Sequence, residues 1–117
     1  MSEDLRASLS AALPEAMRGR DRVAVAALRS ALAAVANAEA VPVEHGPRAG
    51  ALEQALLGAG AADAPRRELT PGDVRAIVHL EVREREEAAQ TVQAAGRPDE
   101  AQRLLAEADV LRRHLGS

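Results

Sequence analysis

Cysteine is absent from this 117-residue chain, and so are phenylalanine, tyrosine, tryptophan and lysine. Each absence removes a class of function. Without cysteine there is no disulfide framework, no thiolate nucleophile, no thiol redox couple and no zinc ribbon. Without aromatic rings there is no platform on which unpaired bases stack, which argues against an RRM-like or OB-like reader. Without lysine, an amidase of the Ser-Ser-Lys type cannot be assembled. No apolar run approaches the ~20 residues that span a bilayer. Residues 1–20 mix Glu, Asp and Arg with short apolar steps and never form the apolar region of a secretory signal. The expected compartment is therefore the cytosol, with no membrane partner.

What remains is a helix-forming composition. The length suits one domain, residues 1–117, with one core. That core has to be built from Leu, Val, Ile, Met and a large share of Ala, the best helix former but one that buries little area. Every basic residue is Arg, which reads either as codon bias in a GC-rich genome or as selection for bidentate phosphate binding. The net charge of −3 argues against a general nucleic-acid binder and against DNA as a partner, while leaving room for a local basic patch.

Leu5, Leu9, Ala12, Leu13, Ala16 and Met17 recur at steps of three and four, predicting a helix over 3–18 that Ser2 caps and Pro14 kinks or divides. Gly19 ends it, and Asp21 is positioned to cap the next. Residues 22–40 form the strongest helical segment, with Val25, Leu28, Leu32, Val35 and Ala36 on one face. Prolines and glycines punctuate 41–67, which reads as an irregular insert with a short helical stretch at 51–57. Thr70, Pro71 and Asp73 supply an N-cap, an N1 proline and an N3 acid for a helix reaching about Ala95. Its apolar face is Val74, Ile77, Val78, Val82, Ala88, Ala89 and Val92. After Gly96, Pro98 opens a last helix over 98–115 with Ala101, Leu104, Leu105, Ala108, Leu111 and Leu115 on one stripe. The expected fold is all-α, an antiparallel bundle of three long helices with shorter ones.

The sequence offers little chemistry. Ser2, Ser8, Ser10, Ser30 and Ser117 lie in no nucleophile elbow, and Gly58 and Gly60 open no phosphate-cradling loop. His45, His79 and His114 fall on different segments with no second ligand at i+4, so neither a metal nor a cofactor is expected. Glu81 and Arg85, at i and i+4, sit on or beside an apolar stripe and read as an ion pair at the bundle seam or as an anchor for a partner or phosphate. Arg18, Arg20 and Arg22 cluster at the first turn, either as a solvated turn or as a basic tip touching RNA phosphate.

Four stretches then carry a family resemblance. They are AMRGRD (Ala16 to Asp21), LRSALAAVANAE (Leu28 to Glu39), ELTPGDVRAIVHLEVREREEAA (Glu68 to Ala89) and AGRPDEAQRLLAEADVLRRHL (Ala95 to Leu115). In order and spacing they resemble the GatB/YqeY-domain family, small proteins similar to the tail of the B subunit of aminoacyl-tRNA amidotransferases. The chain looks like the N-terminal helical half of that family, with 41–67 as a longer insert than compact members carry. The resemblance implies a bacterial, translation-linked accessory domain contacting tRNA or a translation-related protein. It also implies the family label of carbon–nitrogen ligase with glutamine as amido-N-donor, although no residue here could perform that chemistry and no catalytic residue is expected. The polar positions of the matching motifs are Arg29, Asn37, Glu39, Glu81, Arg85 and Arg97, which join Arg18, Arg20 and Arg22 as candidate contacts. The rival expectation is a protein-interaction or structural module with no RNA contact.

Overall fold

The computed structural model describes residues 4–40 and 68–116. Among them are four helices and no strand, so the fold is all-α: α1 (Leu5–Arg18), α2 (Arg22–Ala40), α3 (Pro71–Ala94) and α4 (Pro98–Leu115). The insert expected at 41–67, with its helical stretch, lies outside the described residues, as do Ser2 and His45.

The two helical hairpins, α1–α2 and α3–α4, are closed by the same hydrogen-bond pattern. In the first turn Asp21 N–H donates to Ala16 O at 2.9 Å and Arg20 N–H to Met17 O at 3.1 Å. In the second, Arg97 N–H donates to Val92 O at 2.9 Å and Gly96 N–H to Gln93 O at 3.0 Å. This is the Schellman closure, which needs a left-handed residue just past the helix end. Gly96 fills that position with φ 85° at no steric cost, whereas Arg20 fills it in the first turn with φ 55°. Gly19, the residue expected to break the helix, is only the cap at φ −82°.

Helix starts follow the sequence closely. Asp21 Oδ1 accepts from Ala24 N–H at 3.0 Å, capping α2. Thr70 and Asp73 form a complete capping box, each side chain accepting from the other's backbone N–H at 3.0 Å. The start of α1 differs. Asp4 stands at its N-cap and makes no side-chain cap bond, so the helix begins at Leu5 and not at residue 3. Nor does Pro14 divide α1, which runs on through it. Ser10 and Pro14 both face solvent, so the carbonyl that Pro14 cannot satisfy stays hydrated.

Helix α2 is central and packs against α1, α3 and α4, while α3 and α4 form the most extensive pairing. Leu9, Leu28, Val35, Val78 and Leu111 are the largest fully buried side chains. The buried face of α2 is Ala24, Ala27, Leu28, Ala31 and Val35, a rotation from the face expected from periodicity. Val25 and Leu32 lie at its edges and Ala36 is exposed. Size explains the shift: at Ala27 and Ala31 a small side chain lets neighbouring backbones approach, so the position closest to another helix is not the most apolar one. Helix α4 shifts likewise, with Leu105 exposed and Glu107 and Val110 buried. In α3 the expected face holds, with Val74, Val78, Val82 and Ala89 buried. By length and composition α2 is also apolar enough to cross a membrane, contrary to the expectation that no run approached it, because alanine counts toward hydropathy.

Substituting Ala31→Leu should therefore overpack the α2 interface and lower stability by about 1–3 kcal/mol, whereas Ala36→Leu on the open face should change it by less than about 0.5 kcal/mol. Urea denaturation of both variants checks this; equal effects would contradict the rotated face.

Candidate functional site

The nine side chains singled out from the sequence do not form one site. They fall into four places.

The first is the bundle seam. Arg85 lies between two glutamates: Nε donates to Glu107 Oε1 at 2.9 Å, and Nη1 donates to Glu81 Oε1 at 2.9 Å. Ser30 Oγ on α2 donates to the same Glu81 oxygen at 2.7 Å, and Arg103 Nη1 reaches Glu107 Oε2 at 3.3 Å. Three helices are thus joined through side chains only 12%, 13% and 6% exposed at Arg85, Glu81 and Glu107. Of the two readings of Glu81 and Arg85, the geometry supports the seam. Their polar atoms are spent on one another, and little of either guanidinium or carboxylate is left for a ligand. Glu107 was missed from the sequence because it stands next to the stripe of Leu104, Ala108 and Leu111 and looks like a solvated acid.

The second and third places are at opposite ends of the molecule. Glu39 pairs with Arg6 across α1 and α2, beside an exposed Asn37. A cavity of about 430 Å³ opens there between Leu5, Leu69, Pro71 and Val74, rimmed by Asp4, Arg6, Glu39 and Arg75. Arg97 is on the α3–α4 hairpin tip, where Nη1 reaches Glu100 Oε1 at 3.2 Å in an exposed pair worth little.

The fourth place is the α1–α2 turn. Arg20, Arg22 and Arg29 line a shallow groove of about 470 Å³ whose floor is Met17, Val25 and Ala26, with Arg18 exposed at the end of α1 beside it. No ion pair to these four arginines is seen among the described residues, nor to Arg75, Arg83 and Arg113, whereas Arg6, Arg85, Arg97, Arg103 and Arg112 are paired. The nearby Asp21 carboxylate is already held by the Ala24 N–H. Arg20 is the only non-glycine residue with positive φ among those described. A β-carbon in that conformation costs about 1 kcal/mol relative to glycine, and strain of this kind concentrates at functional positions.

Among the described residues, one further polar pair stands out. Ser8 Oγ and His114 Nδ1 are 2.7 Å apart, linking α1 to the end of α4. Neither lines either cavity described above, and the pair has no acidic partner among the bonds seen. Burial and the neighbouring Arg113 charge hold the His114 pKa below its usual value. No group of His, Asp and Glu suited to a metal occurs among the described residues. Comparison with protein-family models, curated proteins and solved structures finds no match.

Two outcomes follow from these contacts. Arg85→Met leaves the buried Glu81 without a cation and Glu107 with only the exposed Arg103, and should destabilise the bundle by about 3–5 kcal/mol; adding Glu81→Gln should restore much of it. Chemical denaturation of the single and double variants reads this out. Because the His114 pKa is lower in the folded state, the unfolded chain takes up its proton first as pH falls. The contribution of His114 is therefore complete above the unfolded pKa of about 6.5 and is lost as pH drops from there through the folded value. Thermal midpoints of the native chain should fall over that window more steeply than those of His114→Gln.

Proposed function

We propose that the chain is a non-catalytic accessory domain of the GatB/YqeY type, acting in the bacterial cytoplasm by contacting tRNA phosphate through the arginines of the α1–α2 turn. The observation that carries this reading is the gathering of arginines around one groove that no acidic side chain lines. Arg20, Arg22 and Arg29 line one groove, Arg18 follows its Met17 in the chain, and none of the four has an ion-pair partner among the described residues, in a chain whose net charge is negative. Unneutralised guanidiniums on a rigid helix end are suited to phosphate, which they can grip with two parallel hydrogen bonds. The left-handed Arg20 supports the same reading, since glycine at that position would close the hairpin with less strain. Amide transfer itself is a property of the relatives' complex. The Ser8–His114 pair, the nearest approach to a nucleophile and base, lines neither cavity described here.

A second reading, docking of a protein, is favoured by one observation. The outer face of α2 exposes Ala26, Ala33, Ala36 and Ala40 beside a half-buried Leu32, with no helical neighbour there among the described residues. Protein docking would tolerate salt, whereas phosphate contacts weaken as counterions compete.

The deciding experiment is a fluorescence-anisotropy titration of the full chain against bulk tRNA at low and moderate salt, with Arg20→Gly as the informative variant. Arg20→Gly should raise stability by about 1 kcal/mol, because glycine adopts the left-handed conformation freely, while weakening tRNA binding. An Arg20→Gly protein that is more stable and binds unchanged removes Arg20 from the contact. No binding by the native chain at low salt rejects the RNA reading and leaves protein docking.

A further inference from the structure

On the reading that the α1–α2 groove meets RNA phosphate, its lining also specifies which kind of RNA. Met17, Arg20, Arg22, Val25, Ala26 and Arg29 include no aromatic ring, no amide, no hydroxyl and no acid. Recognition of single strands depends on bases stacked on aromatic faces and read along their edges by side chains that both donate and accept. Neither is provided here: the whole chain has no Phe, Tyr or Trp, and among the described residues the only polar side chains lining the groove are guanidiniums, which donate and never accept. In A-form RNA the deep, narrow groove keeps side chains from the base edges where an arginine would otherwise discriminate guanine.

What the groove does offer is a set of arginines anchored at fixed backbone positions. Arg22 and Arg29 stand two turns apart on one straight face of α2, about 10 Å along its axis. Arg20 is held beside them by the Schellman closure and not by a mobile loop. Arginines anchored at fixed backbone positions suit phosphates whose own spacing is already set, since a flexible strand has to give up conformational freedom to match them. The apolar floor fits the same partner. Met17, 49% exposed, together with Val25 and Ala26 can lie against the carbon-bound hydrogens of riboses in a wide, shallow groove.

We infer that the α1–α2 groove is a sequence-blind binding site for the sugar–phosphate backbone of helical RNA, and that it discriminates against unpaired strands. The test is competition anisotropy with the full chain and a labelled blunt RNA duplex of about 16 base pairs, a length that offers two successive shallow grooves. Unlabelled competitors are the same duplex, a duplex of unrelated sequence, and an unstructured U-rich strand with the same number of phosphates. The two duplexes should compete within about 3-fold of each other, and the U-rich strand at least about 10-fold less well. With up to four arginine–phosphate contacts, duplex affinity should fall on the order of 100-fold between 50 and 200 mM salt, and Arg22→Ala with Arg29→Ala should flatten that slope. Both arginines are exposed, so the double variant should keep its fold, which its thermal midpoint verifies.

Equal or stronger competition by the U-rich strand overturns the helical preference while leaving phosphate binding in place. A more than about 10-fold difference between the two duplexes overturns sequence-blindness. Absence of binding to any of the three RNAs and to tRNA at low salt overturns the RNA reading itself.

Discussion

Close approach of helices at alanine is the constraint on which the rest of the bundle depends. A chain without aromatic residues has no large rings to span the gaps between helices, so the gaps themselves have to be narrow. Ala27 and Ala31 on α2 and Ala108 on α4 are almost completely buried and sit among Leu9, Leu28, Val35, Val78 and Leu111. Small residues at the contact points bring backbones together, and the leucines and valines around them then fill the remaining volume. Helix α2 touches each of the other three described helices, and the face it turns inward is set by this geometry more than by hydropathy.

The Arg85 network rests on the same packing. Hydrophobic contact is non-directional and would tolerate small rotations or slides of one helix against another. Bonds from Arg85 to Glu107 and Glu81, and from Ser30 to Glu81, tolerate much less, because each has a short distance and a preferred angle. Buried ion pairs contribute little net stability, but they penalise any arrangement that separates them. The network therefore acts on register: it ties one point of α2 to one point of α3 and one of α4. Helix α2 also carries Arg22 and Arg29, whose backbone positions are set by the same helix that Ser30 ties to α3.

How legible the candidate site was depends on which residues are considered. Arg18, Arg20 and Arg22 were visible as a cluster because they are close in the chain. Arg29 joins them through simple helical phase, seven residues on and on the same face as Arg22. By contrast, nothing in the sequence separates Glu81 and Arg85, spent inside the bundle, from the arginines left open at the turn. That division depends on Glu107, more than twenty residues away, and on Ser30 from another helix. The left-handed Arg20 was hidden as well, because the adjacent Gly19 looked like the natural occupant of that conformation and takes the ordinary helical one.

Local physics was enough to determine the helices from the sequence. The Thr70–Asp73 capping box, the Asp21 cap, Gly96 and Pro98 mark the helix ends through bonds and torsions that span only a few residues. The all-α class follows from helical periodicity, and the exclusion of thiol and disulfide chemistry from composition alone. Tertiary structure decided the rest: which face of α2 is buried, that Glu107 is interior, and which arginines remain unpaired among the described residues. Each of these is a competition for space or for a counter-charge between side chains far apart in sequence. Such competitions are settled only when the helices pack, because the deciding partner lies on another element.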